Sequence, residues 1–411
     1  MQQKFLGPRG LIILIALLSA FVPLSTDLYL PALPGMSANF GARPEQTNLT
    51  LTAFFVFYAL GTLVWGPLSD RNGRRPVLVV GLSLYVVASA ACAAVGSLNG
   101  LIVCRSLQAV GGSAAGAVAT AIVKDVYSGK KRESVLAIVQ SMVLISPAVA
   151  PILGAFLLKA MSWRGVFWVL TGIGGLALLG SLVFEETIAE KTSGVLLHSL
   201  GRLVKVLQNR GFTLLLILFS IGSISSMAFI ASSTYIYQDG FHLSQQVYSY
   251  YFSLNAIGMI IAPLIYLRLS RRFHAETIIR AAYLVIAASG FLVCCAGNFQ
   301  PWTFAVSILP ASIASNCLRP PSANMMLEQQ KGDTGAVSSL MGCVGLLMGS
   351  LGLQIISLPW GNTIIALGVM TLGTAVISLA AWPFIITRTI RLPSPRGKGQ
   401  QERNLETDAP A

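Results

Sequence analysis

The chain has 411 residues, of which 54% are apolar and only 10% charged, with a net charge of +13. A soluble globular domain carries about 25% charged residues, so a chain this long with so few charges cannot cover a water-facing surface, and its main partner is the lipid bilayer. The basic excess sits in short loops between apolar runs, which makes it a topology signal and argues against nucleic-acid binding.

A membrane helix needs about 20 mostly apolar residues. In chain order, the first run follows Lys4 and Arg9 and continues without a small-residue cleavage site, so it reads as a first span and not a removed signal. Twelve segments qualify. Six occupy 10–33, 46–68, 76–95, 98–123, 135–158 and 163–184, and six more occupy 212–237, 245–267, 277–296, 301–327, 335–358 and 361–386. Lys and Arg collect in alternate loops, such as those holding Arg71, Arg74 and Arg75 or Lys130, Lys131 and Arg132, while the other side holds only Arg43, Lys159 and Arg164. The positive-inside rule then puts both termini in the cytoplasm, which requires an even number of spans. Ten spans is the alternative that keeps this parity.

The expected fold class is an all-α integral membrane protein of twelve transmembrane helices. The longest connection divides it into an N-terminal six-helix bundle (1–184), a linker (185–211) and a C-terminal six-helix bundle (212–387), followed by a polar cytoplasmic tail (388–411) expected to be disordered. In the linker, Val195, Leu196, Leu200, Leu203, Val204 and Leu207 recur at helical spacing, with His198, Arg202 and Lys205 between them. This reads either as a basic amphipathic helix on the inner leaflet or as a plain tether. A faint repeat relates the loop from Gly66, GPLSDRNGRRP, to YLRLSRRFHAE from Tyr266. The six cysteines lie in apolar runs without metal-ligand spacing, so no metal site, disulfide framework or cofactor is implied.

Charges inside the spans are the functional candidates, because a charge at mid-depth costs about 2.5–3.5 kcal/mol on insertion scales. One acid, Asp27, and one base, Arg105, stand clearly within spans. Asp27 lies in PLSTDLYLPALP, where Pro23, Pro31 and Pro34 interrupt the helix and free backbone groups. An acid there can take a proton in one conformation and release it in another, depending on its distance from Arg105. The other reading is a static ion pair between spans 1 and 4. Arg105 and Gln108 precede a small-residue face of Gly111, Gly112, Ala114, Ala115 and Gly116, suited to close packing. In span 5, Pro147, Pro151 and Gly154 mark a hinge or a tight seam. Arg319, followed by Pro320 and Pro321, lies nine residues before Glu328, about 13 Å from the cytoplasmic edge at 1.5 Å per residue. It either snorkels to that edge or contacts an anionic or polar substrate. The substrate cavity is expected to be lined by Asp27, Tyr29, Tyr58, Arg105, Gln108, Asn255, Asn316 and Arg319.

WGPLSDRNGRRP resembles the loop signature of the major facilitator superfamily, and LIVCRSLQAVGG resembles the span-4 motif of its drug/proton antiporters. PLSTDLYLPALP and SPAVAPILG resemble the bicyclomycin-resistance branch of that group. This resemblance implies two six-helix bundles rocking about a central cavity, with drug efflux driven by inward proton flow through a monomer in a bacterial inner membrane. It implies proton coupling by Asp27 and Arg105, and a cytoplasmic latch between spans 2 and 11 built from Gly66, Asp70, Arg71, Gly73 and Arg74. Two departures are Ser146-Pro147 in place of the usual Gly-Pro, and Arg319, which is unusual for this branch.

The function expected is therefore a proton-coupled exporter of small, largely apolar antimicrobial compounds. A proton-coupled exporter of a metabolite, such as an amino acid or sugar, is the alternative that Arg319 favours. A non-transporting membrane sensor would need a signalling domain that the sequence lacks. No HExxH, Gly-x-Ser-x-Gly or carboxylate pair marks an enzyme within the spans.

Overall fold

The computed structural model describes residues 5–188, 196–330 and 334–389. All its helices run in one chain order: α1 (Gly7–Ser19), α2 (Phe21–Asp27), a 3-10 turn (Leu30–Ala32), α3 (Leu33–Phe40), α4 (Pro44–Asn72), α5 (Arg74–Ala94), α6 (Leu98–Val126), α7 (Gly129–Ala160) and α8 (Trp163–Val183). After the linker come α9 (Leu196–Leu207), α10 (Arg210–Tyr235) with a terminal π turn (Ile236–Gly240), α11 (Gln245–Leu269), α12 (Ala275–Ala296), α13 (Pro301–Cys317), α14 (Arg319–Glu328), α15 (Thr334–Ile356) and α16 (Thr363–Thr389). No strand occurs among the described residues. Of the expected tail, 388–411, the first two residues end α16 and 390–411 lie outside the described residues, as does the start of the linker helix pattern at Val195.

Ten of these helices are long and apolar enough to cross a membrane, and eleven if the pieces of the first span, bent by 48°, count as one. Pro23 accounts for that bend: it has no N–H to give to the Ser19 carbonyl, and its ring crowds the preceding turn. The continuous helix expected over 301–327 is divided at Leu318, because Pro320 and Pro321 withhold two more donors. Its two pieces still run from face to face. Asn298, just before α13, accepts from the Asn362 amide at one end (3.0 Å), and Gln329, just after α14, accepts from Asn209 at the other (2.8 Å).

Within the first half, α6 packs between α4 and α5, and α5 packs on α8. The small residues of α6 allow this close approach, since helices in lipid associate by van der Waals fit and not by a drive to leave water. In the second half, α10 packs on α15 and α16, and α12 on α13 and α16. The two halves meet chiefly along α7 with α11 and along α4 with α15. Large apolar side chains such as Val80, Phe156, Leu176, Leu284 and Ile377 point outwards, as lipid contact requires.

One repeat is visible in the packing. A Cβ on Gly154 of α7 would overlap the Leu28 carbonyl oxygen, and a Cβ on Gly352 of α15 would overlap the Ile224 carbonyl oxygen of α10. Each glycine lies on the next-to-last long helix of its half and meets the segment that opens that half, at nearly the same offset in the chain. Only glycine permits either contact.

Candidate functional site

Asp27 and Arg105 do not form an ion pair. Asp27 ends α2, is 5% exposed and accepts from the Thr26 hydroxyl at 3.0 Å. It faces the second half, bordering a cavity of about 180 Å³ with Pro147, Asn255, Asn316 and Arg319. Arg105 is fully buried and turns the other way. Its Nη1 donates to the Ser25 carbonyl oxygen at 3.0 Å and to Gln108 Oε1. Its guanidinium carbon sits 4.3 Å from the ring centre of Phe54, 4.5 Å from Tyr29 and 5.7 Å from Phe167. Such cation–π contacts are worth about 2 kcal/mol when desolvated. Nε and Nη2 meet no acceptor among the described residues.

This cage separates the expected cavity residues into two groups. Asp27, Asn255, Asn316 and Arg319 share the cavity. Tyr29, Tyr58, Arg105 and Gln108 do not border it; they lie in the interior of the first half. Tyr29 bonds Thr50 (3.1 Å), Gln108 donates to Ser89 (2.8 Å) and Tyr58 stacks on Phe54. The physical reason is that three aromatic rings from separate elements enclose the guanidinium and hold it away from the space between the halves. Arg105 nevertheless reaches the broken span, since Ser25 lies two residues before Asp27 and its carbonyl lies in the last turn of α2.

Arg319 is the first residue of α14. Its guanidinium has no carboxylate within 4.0 Å and no hydrogen-bond acceptor among the described residues. Beside it, both amide atoms of Asn255 are unpartnered, as is Asn316 Oδ1; Asn316 Nδ2 donates to the Ser312 carbonyl oxygen at 2.9 Å. The other walls come mostly from α10, with Phe219, Ser226, Met227 and Ile230. Sequence reasoning passed over these residues. Their signal was a repeat of Ser, Gly and Met at helical spacing in SIGSISSMAFI.

The two prolines of α7 do not break it, and the helix runs unbroken over both. Instead, its carbonyls form a seam. Ser253 Oγ donates to Ala148 O (2.5 Å), Ser249 Oγ to Pro151 O (2.9 Å) and Gln246 Nε2 to Ala155 O (3.2 Å). The carbonyls around Pro31 are used in the same way. Thr234 Oγ1 donates to Leu30 O (3.1 Å), an acceptor that Pro34 cannot serve, and Gln238 Nε2 donates to Pro31 O (3.1 Å). Asn48 donates to Ser357 (2.9 Å) in the wall of a vestibule of about 640 Å³ on the face away from α9. These bonds hold the halves together between the cavity and that face.

On the α9 face, Gly73 has φ +110° and ψ 157° between α4 and α5, a conformation nearly confined to glycine, and a Cβ there would also overlap the Glu186 carboxylate. Glu186 accepts from the backbone N–H groups of Arg74 (2.9 Å) and Arg75 (3.1 Å), capping α5. Arg74 is buried; its Nε donates to Asp125 (2.9 Å), and its Nη1 donates to Ser69 (2.8 Å) and pairs with Asp70. Arg71 is exposed. The expected latch therefore makes its ion pairs inside its own half, joining α4, α5 and α6. Asp70, Gly66 and Pro67 border a gap of about 290 Å³ that Arg202 and Leu203 of α9 and Gly335, Ala336 and Ser339 of α15 complete.

The sequence of residues 15–353 matches the family model described as Major Facilitator Superfamily. The chain belongs to this superfamily. It is a membrane transporter, and its superfamily is not one of enzymes. The chloramphenicol resistance protein of Pseudomonas aeruginosa is 30% identical over 420 residues, covering 98% of this chain and 96% of the relative. The bicyclomycin resistance protein homolog of Haemophilus influenzae is 25% identical over 394 residues, covering 92% and 97%. Among solved structures, a peptide transporter POT in complex with alafosfalin superposes with a TM-score of 0.76 over 95% of this chain and 97% of that one, at 15% identity. The resemblance of the first-half motifs to the drug-resistance branch of the superfamily thus extends to relatives matched along the whole chain.

Proposed function

We propose that this major facilitator exports small, largely apolar antimicrobial compounds from the cytoplasm in exchange for protons, by alternating access. The observation that carries this reading is the position of Asp27. It is a buried carboxyl at the end of a helix broken within the membrane, bordering a cavity whose other walls, Pro147 apart, belong to the opposite half. When the halves rock, its surroundings change, so it binds a proton in one arrangement and gives it up in the other. The relatives named for chloramphenicol and bicyclomycin resistance support a drug substrate. One proton moving down 100 mV supplies about 2.3 kcal/mol for the exchange.

The same reading has twelve crossings, counting α13 with α14 as one and α1 to α3 as another, both termini in the cytoplasm of a bacterial inner membrane, and a working monomer without cofactor. Arg105, fixed on the Ser25 carbonyl, links α6 to the break beside Asp27. Asp70 and Arg74 bias the equilibrium between states as the gap to α15 closes and opens. The helix α9 lies on the inner leaflet.

The test is accumulation into proteoliposomes against a gradient, driven by an imposed pH difference. Asp27→Asn should abolish uphill accumulation while leaving insertion and downhill exchange intact. Uphill accumulation by this variant would remove Asp27 from the coupling step. A second reading, export of a metabolite, is favoured by the polar groups that share the cavity: Arg319, Asn255 and Asn316. Competition by unrelated hydrophobic compounds counts against it.

A further inference from the structure

We infer that the compound held in the central cavity carries a single anionic group, a carboxylate or its equivalent, on a compact apolar body, and that Arg319 receives it. This rests on the reading of the cavity as the transport site and specifies the substrate class of that site.

The argument begins with an imbalance of charge. Arg319 stands at the break between α13 and α14 with its side chain in the cavity, and among the described residues no carboxylate lies within 4.0 Å of it and no acceptor takes its N–H groups. A charge at this depth is costly unless it is paired or open to water. Arg319 is an exposed residue that borders the cavity. Asp27 borders the same cavity but is outside the 4.0 Å ion-pair distance. When Asp27 holds a proton, the cavity carries one uncompensated positive charge. A monoanionic ligand neutralises it, and a guanidinium offers the planar fork of donors that a carboxylate matches with two parallel hydrogen bonds.

The neutral polar groups point the same way. Nearly all buried amides are hydrogen-bonded, yet Asn255 has both amide atoms unused and Asn316 has its oxygen unused. In this arrangement the three atoms are shut off from water, and a shift of the surrounding helices would present them, a donor and two acceptors, to the ligand. Opposite them, Phe219, Met227, Phe229 and Met259 supply an apolar wall. The volume, about 180 Å³, is close to that of an engineered cavity of roughly 150 Å³ that takes benzene, so the body of the ligand is about one ring in size.

The experiment heats the full-length protein in lipid nanodiscs with millimolar benzoate, phenylacetate or cinnamate, and with the amide of each acid. In the wild type, at least one acid should raise the unfolding temperature more than its amide, with an affinity advantage of about thirtyfold, as a hydrogen bond to a charged group gives. Arg319→Gln should erase this preference. Arg319→Lys, which keeps the charge and loses the fork, should retain only part of it, and it serves as the test if the glutamine variant does not fold. No acid bound better than its amide, or a preference that survives in both variants, overturns the inference. Proton movement is measured with each acid and its amide and with neutral drugs, so absence of any coupled transport, which fails the exporter reading, is seen separately from absence of the acid preference.

Discussion

Removing the hydroxyls that join α11 to α7 should open the transporter towards the face away from α9. Ser249 donates to the Pro151 carbonyl oxygen and Ser253 to that of Ala148, so both bonds exist only while the halves are closed on that side. A net hydrogen bond is worth about 0.5–1.5 kcal/mol. Replacing both serines by alanine should then shift the equilibrium between states by about 2 kcal/mol, roughly thirtyfold at 1.4 kcal/mol per tenfold. Ser249 also donates to Gln245 O within its own helix (2.8 Å), so it can keep a partner when the halves part. This places Ser253 as the stronger of the two contributions. Spin labels on Ala42→Cys and His242→Cys, one in each half at that face, report the change by pulsed distance measurement, with Cys104, Cys294 and Cys295 replaced by serine. The double variant should show a second, longer distance population. An unchanged distribution would mean that the seam does not set the balance, and the conformational part of the account would fall.

Arg105→Met keeps the bulk of the side chain within the cage of Phe54, Tyr29 and Phe167 while removing the charge. The variant takes the donor from the Ser25 carbonyl and Gln108 Oε1 and gives up the cation–π contacts, so it should cost about 1–3 kcal/mol of stability, while protein that still folds should lose drug–proton exchange; exchange that persists would make Arg105 a packing residue. Gly73→Ala should cost about 1–3 kcal/mol, because alanine is strained at φ +110° and its Cβ meets Glu186. A melting temperature in nanodiscs equal to that of the wild type would refute the assignment of strain.

Much of this architecture was legible because membrane spans announce themselves by length and apolarity, and because proline acts locally. Pro23 and the pair Pro320-Pro321 divide their helices near the places the sequence indicated, while Pro147 and Pro151 sit inside an unbroken α7. There the tertiary context prevails, with α11 supplying hydroxyls to carbonyls of the same stretch. The two mid-membrane charges were visible, but their separation was not. It depends on Tyr29, Phe54 and Phe167 converging from three separate elements, which no local pattern encodes. The capping of α5 by Glu186 was hidden for the same reason, since its partners lie more than a hundred residues away. The cavity wall on α10 was written in the chain as a helical repeat of small and flexible residues, yet serine and glycine are common in membrane helices, which masked it.

The central claim is that Asp27 exchanges protons for drug, and everted membrane vesicles test it most directly. Respiration acidifies their interior, and a trapped fluorescent amine reports loss of the pH gradient when a drug is added. The account predicts drug-dependent proton release by the wild type and none by Asp27→Asn at equal expression. Release that is undiminished in Asp27→Asn would contradict it.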